Sequence, residues 1–116
     1  MKTVNTDKAP AAIGPYSQAI ISGGLVFTSG QIPVDPATGV IAGETIVEQA
    51  KQVMANLQVV LAAAGTTPER TVKTTCFLAD MADFAAFNEI YAQTFTSKPA
   101  RSCVAVRTLP KGVLCE

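Results

Sequence analysis

The stretch from Thr45 to Ala64 constrains the fold more than any other. Ile46, Ala50, Val53, Leu57, Val60 and Ala64 recur at three- and four-residue steps, and Met54 and Leu61 broaden the stripe. The spacing predicts a helix with one apolar face, a core-packing stripe rather than a cofactor box. Thr45 and Glu48 form a capping-box pattern at its start. Gly65 is a natural left-handed stop, and Pro68 prevents continuation. Gln49, Lys51, Gln52 and Gln58 are expected on the wetter side.

The flanking segments alternate between strand-like and helix-like. Gln18–Ile21 and Leu25–Thr28 are apolar runs separated by Ser22 and Gly23-Gly24, a hairpin signal because primed turns need positive φ. Pro33–Gly39, with two prolines, is expected to be a surface loop. Val72–Leu78 is a further strand. Asp80 is placed to cap a second helix over Met81–Phe95, with Asp83 near its positive end. Phe84, Phe87, Tyr91 and Phe95 follow helical spacing and are expected in the core, with Asn88 exposed beside them. Ser102–Val106 is a short β-branched run, Leu109–Gly112 a turn, and Val113–Cys115 a last apolar run. The order is β-β-α-β-α-β-β, an α+β pattern. Two helices, each ~10 Å wide, cover about four strands spaced ~4.8 Å apart, on one sheet face only. Yet Leu25-Val26-Phe27 and Cys103–Val106 are apolar at both parities. The second face therefore calls for a homo-oligomeric neighbour.

The 116 residues are expected to form one domain, and a composition 48% hydrophobic and 16% charged excludes disorder. Nine basic and nine acidic side chains cancel, leaving no electrostatic footprint for nucleic acid or an anionic membrane. The first eight residues lack the apolar core of a signal peptide, and no run approaches the ~20 apolar residues of a membrane span. The expectation is a soluble, cytoplasmic protein. Cys76, Cys103 and Cys115 are odd in number and lie in strand-like runs, so buried free thiols are expected. Histidine is absent from the sequence. Acid–base chemistry must then use Glu, Asp, Lys, Tyr, Cys or bound water, and no metal site is expected.

Pro99-Ala100-Arg101-Ser102 reads as a loop that delivers a cation to the mouth of a strand. A planar guanidinium held there suits bidentate recognition of a carboxylate or phosphate, although an ordinary surface arginine would look the same. Tyr16 ends a loop marked by Pro10, Gly14 and Pro15; it is either half-buried packing or a pocket wall. Ser29 follows a strand end; it could donate to a ligand, and a turn-forming serine explains it equally well.

Gly14-Pro15-Tyr16-Ser17-Gln18-Ala19, Thr28-Ser29-Gly30-Gln31-Ile32-Pro33 and Pro99-Ala100-Arg101-Ser102-Cys103-Val104 together resemble the RidA family, also called the YjgF family. The likeness runs in order through nearly the whole chain, including Val72-Lys73-Thr74-Thr75 and Leu109-Pro110-Lys111. The resemblance implies a chorismate-mutase-like α+β fold, a mixed sheet with both helices on one face, and a homotrimer with sites between subunits. It implies hydrolysis of 2-iminopropanoate and 2-iminobutanoate, small imino acids released by pyridoxal-phosphate dehydratases, to 2-oxoacids and ammonia without a cofactor. Carried over position by position, Arg101 matches the arginine that clamps the substrate carboxylate. Cys103 matches the position whose main chain orients the imine nitrogen. Tyr16 and Ser29 match the pocket tyrosine and serine. Glu116 matches the carboxylate that positions the attacking water, and Asn88 a polar neighbour of the site.

Two departures from the family pattern bear on these expectations. The family usually continues past the position of Glu116 through a longer last strand, so either the sequence is truncated there or the protein has lost precision at that position, with Glu116 expected frayed and poorly held. Phe95–Pro99 is also shorter than in many relatives. A non-catalytic trimeric binder of small carboxylates with a regulatory role is the alternative reading. Endoribonuclease or translation-inhibitor activity, attached to some relatives, is disfavoured by the zero net charge.

Overall fold

A computed structural model describes residues 1–116. The central helix, α1 (Ile46–Ala63), forms where its periodicity places it. Thr45 caps it: its hydroxyl oxygen accepts from the Glu48 N–H at 3.2 Å, and its O–H donates to the Glu48 carboxylate at 2.9 Å. The far end closes through Gly65, whose φ of 83° lets its N–H reach Ala62 O while Thr66 N–H reaches Leu61 O.

The strands form two hydrogen-bonded sets. β1 (Lys2–Val4), β2 (Ala19–Ser22) and β3 (Leu25–Thr28) make an antiparallel sheet in that order. β4 (Lys73–Leu78) and β5 (Ala100–Ala105) pair in parallel, joined by the crossover helix α2 (Phe84–Thr94). The result is an α+β fold with antiparallel and parallel strands and two helices. β3 and β4 both line a cavity of about 840 Å³, whose floor includes Val53, Leu57 and Leu61 of α1.

Several expectations need correction. β1 is not signalled by the sequence: three residues are too few to show alternation, and the strand exists because β2 offers it a partner. The strand expected over Ser102–Val106 begins two residues earlier, so Arg101 lies inside β5 and not in the loop before it. The helix expected over Met81–Phe95 opens as a 3-10 turn, Met81–Asp83, with the Asp80 carboxylate accepting from Ala82 N–H at 2.8 Å. Val113–Cys115 is not a full strand; it adds only a bridge between Leu78 and Cys115. Pro33 and Val34 are buried rather than on a surface loop. Gln49 is buried too, because its amide takes Leu114 N–H at 2.8 Å and donates to Gly43 O at 3.1 Å. A helix position opposite the apolar stripe can thus be buried by loops that need its hydrogen bonds.

Two apolar clusters result, and α1 contributes to both. Ala50, Val53 and Met54 pack with Cys76, Leu78, Phe87, Ile90, Tyr91, Phe95 and Cys115. One or two turns later, Val60 packs with Val4, Ala9 and Ala19. Thr74, Cys76 and Leu78 of β4, and Arg101 and Cys103 of β5, share the sheet face under the helices. The opposite parity leaves Val104 46% exposed, and on β3 Leu25 and Phe27 are 50% and 57% exposed.

Candidate functional site

Arg101 is the best-defined polar group of the sheet. As the second residue of β5 it turns toward α2, where Phe84, Asn88 and Tyr91 recur at i, i+4 and i+7 and so share one helix face. Its guanidinium lies 4.7 Å from the Tyr91 ring centroid and 5.3 Å from that of Phe84. Its Nη1 donates to Asn88 Oδ1 at 2.6 Å. The side chain is half-buried, so the cation is fixed on its faces while part of its donor edge remains open. Asn88, expected exposed, is half-buried through this bond.

Cys103 follows on the same face, in register with Cys76. Burial is the main reason all three thiols titrate high: Cys76 is pushed up to about 11 and Cys115 to about 12, with Cys103 also raised. Arg101 acts in the lowering direction on Cys76 and Cys103 without reversing the effect. The thiols are therefore protonated at neutral pH and are poor nucleophiles. They are free, and no group of three or more His, Cys, Asp or Glu side chains is placed to hold a metal ion.

A second group gathers at the cavity edge. Ser29 N–H donates to Gln18 O at 2.9 Å, and its hydroxyl donates to Ser17 O at 2.5 Å, next in the chain to Tyr16. Tyr16 itself is 54% exposed, so it is not core packing, and it lies outside the cavity lining. Ser29, Gly30 and Glu116 line the same cavity. Glu116 is not frayed: Phe77 and Glu116 exchange backbone bonds of 2.8 and 2.9 Å, and the preceding Cys115 is fully buried. Its carboxyl group titrates above the ordinary glutamate value, with burial as the cause. Glycine at position 30 leaves room for the carboxylate, because a Cβ there would meet Glu116 Oε1 and push the carboxylate aside. Gly30→Ala is therefore expected to displace the carboxylate and to lower any Glu116-dependent rate at least tenfold. A circular-dichroism spectrum like that of the parent, measured beside the rate, checks that the fold persists.

Within one chain, Arg101, Asn88 and Cys103 thus form one group, and Ser29 and Glu116, on the cavity lining, form another; Tyr16 stands outside that lining, next to the Ser17 whose carbonyl takes the Ser29 hydroxyl. No hydrogen bond joins the two groups, and no cation offsets the raised Glu116 value. Two partners of Arg101 were not singled out as site residues from the sequence. Phe84 and Tyr91 carry the same spacing as core aromatics, and only the position of Arg101 inside β5 distinguishes them.

The fold and its two polar groups define a small α+β protein with a guanidinium seated on α2 by Asn88 and two rings, and a cavity lined by an acid. A family model described as endoribonuclease L-PSP matches residues 6–116. The chain belongs to this family, the YjgF/RidA family. It is 57% identical over its full length to the RutC family protein slr0709 of Synechocystis, covering 92% of that protein. It is 50% identical to a 2-iminobutanoate/2-iminopropanoate deaminase of Salmonella typhimurium, over 99% of this chain and 92% of the relative. Among solved structures, E. coli TdcF with bound serine superposes with a TM-score of 0.94 at 44% identity, covering 99% of this chain and 93% of that one.

Proposed function

We propose that the protein hydrolyses small 2-imino acids to 2-oxoacids and ammonia. The observation that carries this reading is the Arg101 seat: a guanidinium held by Asn88 and two aromatic faces, with donors left for a carboxylate. The Salmonella typhimurium relative is named for this activity, and TdcF is described with serine, itself a small carboxylate, bound.

The chemistry asks little of the side chains. An iminium carbon is already electrophilic, so no nucleophilic residue and no cofactor are needed. Arg101 anchors the carboxylate, and Cys103 contributes its main chain toward the imine nitrogen. Glu116 takes a proton from water as its oxygen adds to the imine carbon. Glu116 then passes that proton to nitrogen, the C–N bond breaks as the new hydroxyl gives its own proton back to the Glu116 carboxylate, and ammonia leaves with the carbonyl formed. Ser29 shapes the wall, and Tyr16 stands beside it outside the lining. This reading places the protein in the cytoplasm, beside the dehydratases that release such imines.

Within one chain no hydrogen bond joins Arg101 to Glu116 or Tyr16, which supports a site completed by a neighbouring copy. The exposed Leu25, Phe27 and Val104 supply an apolar surface for that neighbour. We propose a homotrimer. Sedimentation at micromolar concentration is expected to give three times the 12.1 kDa chain mass, and Phe27→Glu to shift it toward one. A stable parent monomer would overturn this arrangement.

The activity itself is tested by coupling the protein to a serine or threonine dehydratase and trapping surviving imine with semicarbazide. Faster imine loss is expected, and an unchanged decay overturns the reading. The same separation of groups favours, as a second reading, a binder of small carboxylates without turnover. Calorimetry with a 2-oxoacid on the same sample distinguishes them: binding without turnover favours the binder. The balance of nine cations and nine anions argues against RNA as a substrate.

A further inference from the structure

The Tyr91 hydroxyl is bonded to Thr74 Oγ1, at 2.6 Å. Thr74 is the register partner of Arg101 across the β4–β5 pair. The Tyr91 ring lies under the Arg101 guanidinium at 4.7 Å and is backed by Phe95, centroid to centroid 4.8 Å. A closed loop of contacts results: Arg101 to Thr74 through the strand pairing, Thr74 to Tyr91 through the hydroxyls, and Tyr91 back to Arg101 through its face. We infer that Tyr91, tethered by Thr74, is a positioning residue that fixes the plane of the Arg101 guanidinium and so tunes recognition of a planar carboxylate. This inference rests on the reading of Arg101 as a carboxylate clamp.

The physical case turns on geometry, not charge. A bidentate guanidinium–carboxylate pair needs both groups nearly coplanar, so a guanidinium free to tilt loses one of its two bonds. Asn88 holds one Nη and leaves rotation about that contact open. A ring face of fixed tilt removes that rotation. Phenylalanine at position 91 would keep the face but leave its tilt to packing alone. The tether also explains why a buried tyrosine stands where the helical pattern asks only for an apolar side chain. Its hydroxyl and that of Thr74 satisfy each other.

The test uses Tyr91→Phe, Thr74→Val and the double variant, each close in shape to the parent. Calorimetry with 2-oxobutanoate is expected to show each single change weakening binding roughly two- to tenfold, the range of one hydrogen bond. The double variant is expected to lose no more than either single one, because both cut the same tether. NMR of the Arg101 Nε–H signal is expected to show it shifted or broadened in each variant. Additive losses, unchanged affinity, or an unchanged Arg101 signal overturn the inference. Arg101→Ala identifies the other failure. If it binds 2-oxobutanoate as the parent does, the clamp reading falls and the positioning role falls with it. If it alone loses binding, the clamp stands and the tether does not.

Discussion

Arg101→Ala is expected to lower kcat/KM for 2-iminobutanoate by roughly 10- to 150-fold, the range that follows when a charge-assisted hydrogen bond worth about 1.5–3 kcal/mol is removed. Most of the loss falls on KM, since the carboxylate is held before and during the reaction, with a smaller fall in kcat from poorer orientation. Arg101→Lys recovers little, because a point charge cannot reproduce the planar fork between Asn88 and the two rings. The fold survives the change, since Asn88, Phe84 and Tyr91 remain packed on α2. Steady-state kinetics beside a thermal melt separates the two effects. Full activity in Arg101→Ala would remove the basis of the assignment.

Glu116→Gln has the second large effect. It is expected to leave KM near the parent value and to lower kcat roughly 10²- to 10⁴-fold, the usual contribution of a positioned general base. In the proposed mechanism, Glu116 works only when ionised. Because burial raises its titration point, kcat declines on the acid side sooner than an ordinary glutamate would dictate. Stability follows the opposite trend. A carboxyl whose folded value is raised stabilises the fold fully only below its unfolded value, and that contribution is lost as pH rises through the folded value. The glutamine variant is thus expected to melt higher than the parent at neutral pH, with the difference closing in acid. Melting temperatures for both proteins across that range, with a kcat–pH profile, check both signs.

How much of this could be read from the residues varies by element. The long helix was fully legible, because its stripe, its threonine cap and its glycine stop agree with one another. The Gly23-Gly24 hairpin was legible for the same reason, both glycines adopting the positive φ that the turn demands. Arg101 was legible as a cation near a strand, but its seat was not. Nothing local says that β5 starts two residues early, and only inside the strand is the side chain held to a defined face, the one it shares with Cys103. Once Arg101 faces the helices, the i, i+4, i+7 set Phe84, Asn88, Tyr91 becomes its cradle rather than core alone. Gln49 and β1 were missed because their partners lie far away in sequence: Leu114 for one and β2 for the other. The hold on Glu116 was missed likewise, for it comes from Phe77 across the fold.

The shared membership of α1 in both apolar clusters makes this helix the element that couples their melting. Its first turns complete one cluster and its later turns the other, and the two strand sets have no hydrogen bond of their own pairing between them. Loosening the N-terminal meander strips Val60 of its neighbours and tugs on the same rod that seats Val53 and Met54. Local openings at one end should therefore be felt at the other, and the protein should denature in a single concerted step, although its backbone ladders are built in two pieces.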